Sequence, residues 1–192
     1  MRLRVLVLAV AFLTAAARAE YVDPYGLPSG SAELALATQA AILSGASVEG
    51  YDFAGPELIE APYVDQVAAG LVDLLFVELS AENDTLYLRA PEGADQFDRF
   101  FSADLGPVDL AEVDSMEDVE LTSHVPATLG DTYVLLQFRE NAQPEITAVK
   151  FRVTGLEAAS VHFDWAWQPN GSLYFVPSAA EPLSFGELKP RW

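Results

Sequence analysis

The stretch V161-H-F-D-W-A-W-Q-P-N-G-S-L-Y-F175 decides how the rest of the chain is read. Side chains of a strand alternate between two faces. Val161, Phe163, Trp165 and Trp167 therefore share one side, and His162, Asp164, Ala166 and Gln168 share the other. Burying each large apolar group stabilises by roughly 1.5–3 kcal/mol, so the aromatic side belongs in a core. Gln168-Pro169-Asn170-Gly171 supplies a turn, because proline presets one backbone angle and Asn-Gly tolerates the left-handed region. Ser172–Phe175 is then expected to return as a second arm, with Leu173 and Phe175 on the same apolar side. A competing reading leaves Trp165 and Trp167 exposed as a platform for stacking sugars.

Upstream, Tyr133–Phe138 and Ile146–Thr154 read as strands, and with the two arms they predict a four-strand antiparallel meander. Leu71–Leu79 predicts a further strand, paired as a hairpin with T85-L-Y-L-R-A90. A46-S-V-E-G-Y-D-F53 reads as β-like, and Gly55-Pro56 marks the next turn. A short strand is expected over Tyr63–Val67. Residues 32–44 are alanine-rich between Ser31 and Gly45, which predicts a short N-terminal helix, capped and stopped by those residues. Alternation of Leu34 and Leu36 supports a strand there instead. Residues 94–123 are the most acidic and lack the residue order of a calcium loop. They are expected to form a surface connection with a short strand or helical turn, with weak calcium binding as the alternative. The expected fold is mainly β: a single antiparallel, sandwich-like domain over residues 20–192.

Residues 1–19 carry Arg2 and Arg4, an apolar run from Val5 to Leu13, and Ala17-Arg18-Ala19. This is the pattern of a cleaved signal peptide, so the chain is expected to be exported, to the periplasm or beyond, and soluble. The apolar run is shorter than a membrane span. Cysteine is absent, which excludes disulfides, a lipid-anchoring cysteine, thiolate metal sites and a cysteine nucleophile. The formal net charge is −19, and removing three arginines with the leader makes it more negative. Such a field repels phosphate backbones and argues against nucleic-acid partners.

Catalytic signatures are missing: there is no G-x-S-x-G, no H-E-x-x-H and no phosphate-cradling glycine loop. Asp164 beside the tryptophans is the best of many acids for carboxylate chemistry. The reading is a non-enzymatic binding or accessory domain, with a small molecule or an envelope protein as partner. Asn83-Asp84-Thr85 and Asn170-Gly171-Ser172 match glycosylation sequons, but turn chemistry already accounts for the second.

G130-D-T-Y-V-L-L-Q-F138, V149-K-F-R-V-T-G-L156 and the opening stretch together resemble the C-terminal part of HmuY-like haem-binding proteins, which bacteria export. In this resemblance A148-V-K-F-R-V153 stands for the family's lysine-bearing strand and F163-D-W-A-W-Q-P-N-G-S172 for its aromatic hairpin. The resemblance implies a β-rich fold and haem as a cofactor. His124 lies near the place of one iron ligand, while His162 does not lie where the second is expected. Arg139, Lys150 and Arg152 would be the cations for the propionates. The tentative ligand-binding set is thus His124, His162, Trp165 and Trp167.

Overall fold

The computed structural model describes residues 20–69, 72–78, 87–89, 99–122, 124–139 and 145–176. A large antiparallel sheet contains β1 (Ser29–Ala35), β10 (Ser160–Gln168), β9 (Glu145–Leu156), β8 (Thr132–Arg139) and β6 (Arg99–Asp104), in that spatial order. A small sheet orders β4 (Leu75–Val77), β5 (Tyr87–Arg89) and β7 (His124–Pro126). A separate hairpin pairs β2 (Ser47–Asp52) with β3 (Glu57–Pro62).

The two sheets hand over to each other at both edges. Just beyond β1, the Ala37 N–H donates to Phe76 O at 2.8 Å and the Glu78 N–H donates to Ala37 O at 3.1 Å. At the far edge, Ser102 and Thr122 exchange two backbone hydrogen bonds of 2.7 Å. Edge strands with unpaired backbone groups invite association, and these bridges occupy part of both edges.

Between the sheets lies an aromatic core. Tyr133, Leu135, Val149, Phe151, Val153, Val161, Phe163 and Trp165 from the large sheet meet Tyr51, Phe53, Leu74, Phe76, Leu88 and Val125. The large sheet is buried on its other side too. Val134, Leu136, Ala148 and Ala103 pack there against Val113, Met116 and Phe175. Burial on both faces explains why β8 reads as a continuous apolar run and why β9 alternates imperfectly. The acidic segment that follows β6 is therefore a cover, with a 3-10 turn at Leu110–Glu112, rather than a mere surface connection.

Several expectations need correction. The helix is α1, Gln39–Ser44, with Thr38 as N-cap and Gly45 in the left-handed region at φ 71°. Residues 32–35 are strand, because β1 pairs along β10 and sends Leu34 into the core; that tertiary pairing outweighs alanine's helix propensity. Ser31 caps nothing: its hydroxyl donates to Asp164 Oδ1 at 2.6 Å. The expected strand at 63–67 is helix α2, Tyr63–Ala69. Its buried Gln66 donates from Nε2 to the carbonyls of Val48, Ile59 and Ala61, tying α2 to the hairpin. The strand expected over 71–79 narrows to Leu75–Val77, whereas its pairing with β5 is as expected. Residues 71, 79–86 and 90 lie outside the described residues. Ser172–Phe175 does not pair with β10. Tyr174 bridges Ser115 instead, and Phe175 is buried on the opposite side of the sheet from Trp165. The meander is accordingly three strands, β8 to β10.

Gly50 on β2 is a point where glycine is required. A Cβ there would lie 2.5 Å from Gln66 Oε1 and 2.7 Å from both Val72 methyl groups. Gly50→Ala is expected to destabilise by about 1–3 kcal/mol, the usual cost of overpacking, as read from urea unfolding. A loss near zero would show that Gln66 is not seated on the hairpin.

Candidate functional site

On the outer side of the large sheet lies a groove of about 410 Å³, lined among others by Tyr21, Asp109, Gly130, Arg152, Thr154 and Asp164. Arg152 and Asp164 are cross-strand partners on β9 and β10. Beside them β9 carries an extra residue. His162 pairs with Gly155 and Phe163 with Val153, so Thr154 is left between the two registers. A bulge of this kind redirects neighbouring side chains, and here it sits in the groove wall.

Arg152 is well occupied. Its Nε donates to Gly130 O at 3.1 Å, and its Nη1 meets Asp109 Oδ2 at 3.4 Å. Gly130 holds φ 91°, which a side chain would strain. Asp109 uses both oxygens, because Oδ1 accepts from the Ala111 N–H at 2.9 Å and caps the 3-10 turn. Asp164 differs: Oδ1 accepts from Ser31, while Oδ2 has no partner among the described residues. Ser31 Oγ in turn accepts from the Tyr21 N–H at 3.1 Å. Burial pushes the Tyr21 phenol well above its ordinary pKa, and the nearby Asp23, Asp109 and Asp164 charges add to the rise. Tyr21 therefore stays a neutral hydrogen-bond donor, and the residue forms part of one wall.

Of the residues singled out from sequence, Asp164 and Arg152 line this groove, whereas His124, His162, Trp165 and Trp167 do not. Trp165 is 3% exposed, with its ring centre 5.6 Å from Phe53 and 6.1 Å from Tyr51. A Cβ on Gly30 would approach that indole to 3.2 Å, so the strand beside it also shuts the ring in. Trp165 offers no face for a sugar. Trp167 is half-buried against the same core. His124 on β7 is exposed, with its ring edge-on to Tyr87 at 5.4 Å. His162 lies over Gly155 and between two carboxylates, Glu33 at 3.7 Å and Glu157 at 3.8 Å. The two histidines sit on different sheets. Among the described residues no group of three or more His, Asp or Glu side chains is arranged to hold a metal ion.

Of the cations named for propionates, Lys150 is fully buried against Asp23 and Arg152 is tied to Asp109; the side chain of Arg139 lies outside the described residues. Sequence reasoning missed the groove as a unit. Asp164 had its strand and face as signals, but Tyr21, Asp109 and Gly130 come from the arm and loops, where no local pattern points to a shared wall.

Comparisons with protein-family models, with curated proteins and with solved structures returned no match to this chain. Among the described residues no helix is long and apolar enough to cross a membrane.

Proposed function

We propose that the chain is an exported, non-catalytic binding module whose site is the outer groove, and that the groove takes a small organic cation. The observation that carries this reading is the unequal state of its charges. Arg152 is engaged by Gly130 O and Asp109, whereas Asp164 keeps one carboxylate oxygen open in the groove that Tyr21 also lines. An ammonium or guanidinium group would complete Asp164 with a charge-assisted hydrogen bond and meet an aromatic face. The net charge of −19 draws cations toward the surface and repels anions. Haem fits this chain less well, because its propionates would meet the same field and His162 is flanked by Glu33 and Glu157.

Benzylamine, protonated at neutral pH, tests the proposal against uncharged benzyl alcohol. In amide NMR spectra benzylamine is expected to shift Gly130, Val153, Thr154 and Asp164, and Asp164→Asn to abolish those shifts. Equal responses to the alcohol, or shifts scattered over the acidic surface, would remove the groove as a site.

A further inference from the structure

One side chain on the outer side of the sheet contradicts its surroundings. Lys150 belongs to β9, between two neighbouring strands, and is completely buried, as is its partner Asp23. The Lys150 ammonium lies 3.2 Å from Asp23 Oδ1 and donates to Val113 O at 3.2 Å. Aromatic rings enclose it, with Tyr25 at 5.5 Å and Phe175 at 5.3 Å from the charge. A cation shut away from water needs a partner of this kind, because desolvation alone costs several kcal/mol.

Asp23 is not part of the sheet. It sits in the arm, residues 20–28, that precedes β1, and it organises that arm. Asp23 Oδ2 accepts from the N–H groups of Tyr25 at 2.9 Å and Leu27 at 3.3 Å, and its carbonyl accepts from the Gly26 N–H at 3.1 Å. Gly26 has φ 77°, so the turn closes without strain. The backbone N–H of Asp23 donates to Ser29 Oγ at 3.0 Å. Two residues earlier, Tyr21 forms a wall of the groove and its hydroxyl lies 3.5 Å from Asp23 Oδ1.

We infer that residues 20–28 are a latch: the buried Asp23–Lys150 pair holds the arm down, and opening the latch dismantles the groove by withdrawing Tyr21. The coupling rests on the groove being the binding site; the latch itself does not. Linkage makes the effect reciprocal, so a ligand that needs Tyr21 in place must also hold the arm closed. When the arm undocks, the hydrogen bonds within the turn are laid open to water and the charge pair is broken. When the arm lifts, both ions regain water and lose each other, which makes this contact the hinge of a local opening rather than of global unfolding. Asp23 and Lys150 are thus positioning residues for the groove and do not touch its ligand.

Hydrogen exchange of the arm amides, with benzylamine as the probe ligand, tests the inference. In Lys150→Met the amides of Tyr21, Tyr25, Gly26 and Leu27 are expected to exchange on the order of a hundredfold faster, as for a broken buried pair. Amides at the centre of β9 and β10 should keep their rates, and the NMR response of the groove to benzylamine should disappear. In the unaltered protein, saturating benzylamine should slow the arm amides. The double variant Asp23→Asn with Lys150→Met removes both charges while leaving an amide oxygen for the Tyr25 and Leu27 N–H groups. Its arm should exchange more slowly than in Lys150→Met alone, which separates an open latch from a misfolded sheet. Arm amides that keep their normal rates in Lys150→Met overturn the latch. An open arm with undiminished benzylamine binding overturns the coupling while the groove stands. An unaltered protein that ignores benzylamine, yet opens its arm in Lys150→Met, overturns the binding reading and the coupling but leaves the latch.

Discussion

Phe151→Ala is expected to destabilise the fold by about 3–5 kcal/mol, the upper range for deleting a buried aromatic ring. Phe151 is fully buried and stands at the centre of a ring cluster. Tyr133 stacks on it at 5.2 Å, Phe163 meets it edge-on at 6.0 Å and Phe53 lies at 6.2 Å. The site cannot collapse to fill the space. β9 is hydrogen-bonded to β10 on one side and β8 on the other, and β2 is anchored to the start of β4 through Tyr51 and Leu74. Phe151→Leu retains much of the volume and should cost about 1.5 kcal/mol or less. Leu43→Ala, at a residue 79% exposed, should stay within about 0.5 kcal/mol. Urea denaturation of the three variants gives the ordering. A Phe151→Ala loss as small as that of Leu43→Ala would mean that the two sheets do not pack on each other.

The same cluster shows what was legible in the sequence. β10 could be read from Val161 to Trp165 because its two faces differ sharply in chemistry: Val161, Phe163 and Trp165 go inward, while His162 and Asp164 stay at the surface. Beyond them Ala166 and Gln168, on the face read as wet, are buried as well, and Trp167 is only half-buried. β9 was harder, because its second face is also covered. Lys150 looks like a solvent residue by type, yet it is the most enclosed cation described. Nothing local could reveal that, since its partner Asp23 is far away in the chain. β1 was obscured by alanines whose helix preference loses to pairing with β10. Helix α2 was obscured because five alternating residues cannot separate a strand from a helix, and the buried Gln66 reads as a polar surface position. The covering segments after β6 and β10 follow no period at all. Their places are set by single anchors such as Val113, Met116 and Phe175, each meaningful only once the sheet exists. The groove inherits that difficulty, being assembled from an arm, a capped turn and two strands.

Alkaline pH is expected to unfold the protein in a window set by two core phenols. Burial pushes Tyr133 up to about 12, against a smaller lowering by the Thr128 N–H. Its hydroxyl donates to Pro126 O at 2.9 Å and accepts from Thr128 N at 2.9 Å. Burial likewise pushes Tyr51 up to about 12. The Trp165 indole N–H lowers it somewhat, although that group is not aligned for a hydrogen bond. In the unfolded chain both phenols ionise near their ordinary value of 10.0. Between that value and about 12 the native state holds protons that the unfolded state has released, so stability falls as pH rises. Below it, both states are protonated and the contribution is fully present. Tyrosinate absorbance and far-UV circular dichroism, followed together, should show the last phenols ionising only as the β signal is lost. Tyr133→Phe removes one of the retained protons and should make the alkaline loss less steep, despite forfeiting two hydrogen bonds. If all seven tyrosines ionised while the β signal persisted, Tyr51 and Tyr133 would be reachable by water, and the closed core between the sheets would have to be abandoned.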